Sequence, residues 1–440
     1  MKFYDREEEL KELENLYSQT EESGRMTVLT GRRRVGKTLL SLEFARKHKY
    51  IYLFISKKSE SLLCMDHLEE IKNLFHVPVP GEIRRFKDIF KLLLELSLKE
   101  RFTLIIDEFQ EFFSINPSVY SDIQYLWDIY KHRCHLNVIF IGSVYSLMHK
   151  IFKNSKEPLF ERADRLFNIK PFKIKVLRNI LLDYNVKEIA TLFDLYVLTG
   201  GVPRYIDILS QNKALSLNKA LDFILNDSSP FIAEGRNQLI EEFGKDYGTY
   251  FSILELISSG KTARSAIESI IEANIGGYLE RLGNDYNVVS RVRPIDASPK
   301  SRTQKYYISD NFLNFWFRFI FRHRSAVETG NFDFIRQLIL RDYATYTGRI
   351  MEKFFQELFA DTKQFNRIGS YWEKGNQNEI DLVAINDMEK RIVIAEIKRN
   401  KKKIRTEELK MRAKKLTSSF RNYTQHYIAL SLEDALDYLD

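Results

Sequence analysis

Five apolar runs in the first 170 residues alternate with segments of helical spacing. The runs cover residues 26–30, 50–55, 102–106, 137–142 and 166–169, and most are rich in Val, Ile, Leu and Phe without a polar alternation. Continuous apolarity of that length predicts strands buried on both faces, hence a parallel sheet flanked by helices. From about residue 172 to 229 the apolar spacing turns helical, and Leu198-Thr199-Gly200-Gly201-Val202-Pro203-Arg204-Tyr205 interrupts it. Two glycines followed by proline predict a sharp break between helices, either a plain turn or a device that brings Pro203 and Arg204 to a ligand.

Helical runs at 250–258, 263–271 and 276–282 precede two short strand runs, 288–292 and 305–308. That order predicts a winged helix, which serves either as a DNA reader or as a spacer. Arg291, Arg293, Lys300, Arg302 and Lys305 gather around its ribbon, but no basic stripe marks a recognition helix, so spacer or protein contact is favoured. The aromatic stretch 310–321 predicts interdomain packing, followed by a helical connector. Beyond about residue 346, strand runs 379–385 and 391–398 flank the turn-like Asn386-Asp387-Met388-Glu389 and predict a hairpin. The divisions are 1–170, 171–235, 236–322, 323–345 and 346–440.

At 440 residues, several domains are expected. Only 18 Gly and 9 Pro argue against long disordered stretches. Two cysteines, Cys64 and Cys134, are too few for a disulfide framework, and no apolar run nears the roughly 20 residues that span a bilayer. With no leader-like opening, a cytoplasmic protein without membrane contact is expected. The net charge of +8 permits an anionic partner without requiring one.

The first candidate chemistry is Gly31-Arg32-Arg33-Arg34-Val35-Gly36-Lys37-Thr38, a complete phosphate-binding loop between a strand and a helix that starts at Leu39. Glycines let backbone N–H groups face phosphate oxygens, and the helix N-terminus adds positive potential. Lys37 is expected on the β/γ-phosphates and Thr38 on Mg²⁺. The run ending Asp107-Glu108 supplies the second half: Asp107 for Mg²⁺ and Glu108 to polarise the attacking water. Ser143, after the fourth run, either senses the γ-phosphate or caps the next helix. ATP and Mg²⁺ are the expected cofactors.

The second constellation is Asp381 with Glu396-Ile397-Lys398. Residues two apart on a strand share a face, so Glu396 and Lys398 point together, and Asp381 joins them from the neighbouring strand. Two carboxylates suit Mg²⁺, and the lysine suits a hydroxide or a developing phosphorane charge. Glu352, on a preceding amphipathic run, adds a fourth group. This is the D-(x)n-E-x-K arrangement of phosphodiesterase nucleases. The basic run from Lys398 to Arg405 begins where phosphate binding would be useful.

Taken in order, Tyr4-Asp5-Arg6-Glu7-Glu8-Glu9-Leu10, the phosphate loop, Ile105-Ile106-Asp107-Glu108-Phe109-Gln110, Pro158-Leu159-Phe160-Glu161-Arg162, Gly200-Gly201-Val202-Pro203-Arg204-Tyr205, the stretch 307–316 and the two acidic strands span nearly the whole chain. On them the chain resembles the archaeal-type ATPases of the AAA+/STAND-like P-loop class with a C-terminal DUF234 domain. The resemblance implies an α/β fold: a five-stranded P-loop NTPase sheet, a helical lid, a winged helix and a restriction-endonuclease-like domain. It implies Gly201 and Pro203 beside the base or ribose, and Arg162 and Arg204 as γ-phosphate sensor or arginine finger. One position departs, with Glu161 where the family pattern has glycine. The expected function is an ATPase coupled to a nuclease-like domain acting on DNA or other nucleic acid. The alternatives are a nucleotide switch controlling homo-oligomerisation, with a silent C-terminal domain, and a winged-helix DNA-binding regulator.

Overall fold

The computed structural model describes residues 2–78, 81–298, 300, 301 and 303–439; of the basic residues around the ribbon, Arg302 falls outside these. The chain divides into two compact units, Phe3–Pro171 and the part from Phe172 onward.

In the first unit, β1 (Arg25–Thr30), β2 (Tyr50–Phe54), β3 (Phe102–Asp107), β4 (Leu136–Ile141) and β5 (Arg165–Asn168) form one sheet in the order β2-β3-β4-β1-β5. Every pairing is parallel. Strand side chains alternate between faces, which splits the core in two. Val28, Leu104, Ile106, Val138 and Phe140 pack with Leu68, Phe90 and Ile123 from helices on one side. Leu29, Ile105, Ile139 and Ile141 pack with Leu13, Leu40 and Phe44 on the other. Both faces are therefore covered, which is why the runs carry no polar alternation. In an all-parallel sheet the C-terminal strand ends share one edge, and there the loops after β1, β3 and β4 meet.

The second unit opens with helices Ile174–Asp183, Ile189–Thr199, Pro203–Gln211, Leu217–Ile224 and Pro230–Phe243. Helices Tyr247–Ser258, Arg264–Ile271 and Gly276–Asn284 follow, then the antiparallel pair β6 (Val289–Val292) and β7 (Lys305–Ile308). The aromatic stretch packs inside this unit: Trp316 lies against Gly235, where a Cβ would come within 2.3 Å of the indole, and its Nε1 donates to Ile232 O at 2.8 Å. Helix Gly348–Asp361 leads into a second sheet, β8 (Arg367–Tyr371), β9 (Ile380–Asn386), β10 (Arg391–Ile397) and β11 (Thr424–Leu430). Its order is β11-β10-β9-β8. β8, β9 and β10 run antiparallel in turn, and helix Thr406–Ser418 crosses over to set β11 parallel to β10. Ile380, Val383, Ile385, Ile392 and Ile394 pack against Leu409, Ala413 and Leu416 of that helix.

Candidate functional site

Gly31 leaves β1 at φ 138°, where a Cβ would sit 2.4 Å from Ile169 O. Ile169 is tied to β1 through its N–H on Thr30 O at 2.8 Å, so a side chain at residue 31 would break the strand pairing. Arg34 (φ 67°) and Gly36 (φ 91°) are left-handed, and helix Lys37–Ala45 starts with no side-chain cap. Its first-turn N–H groups remain turned toward the loop, an arrangement that attracts anions. Lys37 is buried, and its ammonium donates to the carbonyls of Gly31 and Arg32, each at 2.8 Å. Arg32 and Arg33 are half-buried, Arg34 is exposed, Val35 is buried, and Leu39 stands exposed beside the loop.

Asp107 closes the other side. Its Oδ2 accepts from Thr38 Oγ1 at 2.6 Å and from Tyr52 OH at 2.9 Å, and its Oδ1 accepts from Glu108 N–H at 2.8 Å. Burial, with Asp107 adding repulsion, pushes the Tyr52 hydroxyl well above the usual phenol range, which keeps it a donor. Thr38 and Asp107 supply two hard oxygens at hydrogen-bond separation, with room in an octahedral set for phosphate and water oxygens. That donor set fits Mg²⁺.

Glu108, left-handed at φ 54°, turns away from β3 and accepts from Ser143 Oγ at 2.7 Å and from Gln110 Nε2. Ser143 is thus a partner of Glu108; the next helix, Tyr145–Lys153, is preceded by Val144 and has no side-chain cap. Sequence reading missed Tyr52 and Gln110, because nothing local marks a strand tyrosine or a post-strand glutamine as site residues.

The remaining motif residues have partners of their own. Arg6 is buried at the head of its helix and donates to Lys170 O. Arg162 forms a two-pronged pair with Asp128 at 2.9 and 3.2 Å. Glu161 before it sits at φ 56°, the left-handed region that favours glycine, which accounts for glycine in the related pattern. In the second unit, Gly200 ends helix Ile189–Thr199 left-handed, and Gly201 (φ 77°) passes so close to Phe172 that a Cβ would meet its carbonyl at 2.4 Å. Pro203 occupies the first turn of the following helix, and Arg204 pairs with Asp207 at 3.0 Å.

The C-terminal constellation assembles within the second unit. Lys398 Nζ lies 3.5 Å from Glu396 Oε1 and 3.8 Å from Asp381 Oδ2. Asp381 and Glu396 are both buried. Asp381 Oδ2 accepts from Ile397 N–H at 2.8 Å, which fixes its carboxylate against β10. Glu352 pairs with Arg349, and burial, with Asp381 and Glu379 repelling it, pushes its carboxyl up to about 7 even though Arg349 works the other way. Burial also raises Asp381. Arg412, from helix Thr406–Ser418, donates to Glu396 Oε2 and to Glu379 O. Two buried carboxylates fit a hard divalent cation, although among the described residues no three His, Cys, Asp or Glu converge as a metal set. Of the basic run, Lys398 enters this cluster and Arg399 donates to Thr347 Oγ1, while Lys401 pairs with Asp434 and Arg405 with Glu408.

A model of an ATPase domain found predominantly in Archaea matches residues 3–209, and the DUF234 model, described as archaeal and bacterial proteins of unknown function, matches 316–415. An uncharacterised protein of Methanocaldococcus jannaschii is 31% identical over 407 residues, 90% of this chain and 87% of its own length. The chain belongs to the archaeal P-loop ATPases that carry a DUF234 domain. A Walker-type ATPase of Pyrococcus abyssi superposes with a TM-score of 0.55 at 19% identity, covering 72% of this chain and 96% of that one. The ORC2 protein of Aeropyrum pernix, solved as ADPNP and ADP complexes, gives 0.47 at 14% identity, covering 77% and 96%. No helix among the described residues is long and apolar enough to cross a membrane.

Proposed function

We propose that the chain is a Mg²⁺-dependent ATPase whose nucleotide cycle drives a nuclease-like C-terminal site acting on nucleic acid. In the first site Lys37 exchanges its carbonyl partners for the β/γ-phosphates, and Thr38 and Asp107 would hold Mg²⁺. When bound, the metal neutralises charge on the transferred phosphoryl group. Glu108 orients the attacking water and takes its proton, while Ser143 keeps that carboxylate aimed. Arg162 as a charge sensor belongs to the same reading. Free, buried Cys64 and Cys134 support a cytoplasmic setting.

One observation carries the nuclease half: Asp381, Glu396 and Lys398 converge from adjacent strands within 4 Å of the lysine ammonium. The helix–three strands–helix–strand order of residues 346–440 supports a restriction-endonuclease-like domain, and the three helices and ribbon of 236–322 support a winged helix between a lid (171–235) and a connector (323–345). The test is plasmid nicking with Mg²⁺ or Mn²⁺, with and without ATP, against Asp381→Ala. Nicking by the parent chain alone is expected; equal nicking by both, or by neither on duplex, branched and single-stranded substrates, contradicts the nuclease.

A second reading has its own observation. Arg412 occupies a Glu396 oxygen and Ile397 N–H occupies an Asp381 oxygen, the arrangement of a silent platform whose partner binding or homo-oligomerisation is switched by ATP. Absence of nicking on every substrate supports that reading.

A further inference from the structure

Strand β7 runs along the C-terminal acidic site. Lys305 and Tyr307, two apart and so on one face, both turn toward it. Lys305 Nζ donates to Glu379 Oε1 at 2.8 Å and sits 4.6 Å from the centre of the Trp372 ring. The Tyr307 ring lies under the Arg349 guanidinium at 4.6 Å. The ribbon is anchored at both ends: Ile295 N–H donates to Ser370 O at 3.0 Å beside Gly369 of β8, and Ser309 O accepts from Lys353 at 2.7 Å.

Lysines are almost never buried to 9% exposure, and among the described residues this one pairs with one carboxylate, itself 49% exposed. The cluster's two arginines are each tied to a buried carboxylate, while Lys398, half exposed, belongs to the acidic set itself. Lys398 faces both Asp381 and Glu396, Arg412 holds Glu396 and a backbone carbonyl, and Arg349 pairs with the buried Glu352. A half-solvated carboxylate loses little when its lysine turns to another anion, so Lys305 is a cation that an incoming phosphate can recruit.

We propose that Lys305, carried in by the β6–β7 ribbon, is a phosphate-positioning residue of the C-terminal site, seating a nucleic-acid backbone phosphate beside Asp381 and Glu396. This rests on the nucleic-acid reading of that site. It makes the inner face of the ribbon a wall of the site. The opposite face carries exposed Arg291, which pairs across the ribbon with Tyr306.

The test is fluorescence anisotropy of labelled duplex and single-stranded oligonucleotides with the full chain, in EDTA, across a salt series. Lys305→Met keeps the aliphatic stem over Trp372 and is expected to weaken binding by about 5–10-fold and to lower the salt slope by about one phosphate. Lys305→Arg should restore affinity to within about twofold, and Arg291→Gln should stay within about twofold. Glu379→Gln, which releases the lysine without touching it, should tighten binding by about 2–5-fold and keeps the proposal testable if Lys305→Met folds poorly. An unchanged slope in Lys305→Met, or a loss confined to Arg291→Gln, overturns the proposal and leaves the reading of the site standing. If the parent chain neither binds any oligonucleotide nor shows Asp381-dependent nicking, that reading falls and takes the proposal with it.

Discussion

Ser143 Oγ donates to Glu108 Oε2 at 2.7 Å, joining the end of β4 to the end of β3 across the edge where the phosphate loop opens. The bond gives a serine that looks like a helix cap a different task, holding the carboxylate of the residue after Asp107. Gln110 holds the same oxygen, so Glu108 is oriented by two donors before any nucleotide arrives.

Replacing Glu108 should therefore separate binding from turnover. Glu108→Gln is expected to retain ATP affinity while kcat falls by about 10²–10⁴-fold, the usual range for a lost general base. Ser143→Ala leaves the carboxylate in place with one donor fewer and should lower kcat by about tenfold, with KM nearly unchanged. Single-turnover hydrolysis together with equilibrium binding distinguishes these effects; a joint loss of binding in Glu108→Gln would refute the assigned role.

Glu352 gives the second unit a pH signature. Its carboxyl is raised to about 7 in the folded chain, first by burial and then by Asp381 and Glu379, against an ordinary value of 4.5. Between these values the folded state holds a proton that the unfolded state has lost, so stability falls as pH rises through the window and levels off above it. The shift corresponds to about 3 kcal/mol at most. Glu352→Gln removes that slope, so the variant should gain stability relative to the parent on going from about pH 5 to about pH 8. Chemical denaturation at the two pH values measures the difference; a constant offset between the chains would show that Glu352 titrates normally.

Both motifs were legible because each lies on one short stretch whose local structure the apolar pattern dictates. Residues 31–38 sit between a strand and a helix, and Glu396 and Lys398 share a strand face by simple periodicity. The rest of each site depends on tertiary placement. Tyr52 reaches Asp107 only because β2 pairs with β3, and Arg412 reaches Glu396 only because its helix crosses over β10. Lys305 and Glu379 lie 74 residues apart, and the lysine reads from sequence as part of a basic ribbon. Strands β8 and β11 escaped notice for a related reason. Arg367-Ile368-Gly369-Ser370-Tyr371 and Thr424-Gln425-His426-Tyr427-Ile428-Ala429-Leu430 lack the continuous apolarity of the central strands, because they form the two edges of their sheet.

Calorimetric titration with a non-hydrolysable ATP analogue in Mg²⁺ bears most directly on the central claim, that the loop carrying Lys37 and the carboxylate of Asp107 grip one triphosphate. The parent chain should bind a single nucleotide. Lys37→Ala should weaken it by about 30–150-fold, equivalent to about 2–3 kcal/mol for a lost charged hydrogen-bond partner. Equal affinity in the two proteins would contradict the account.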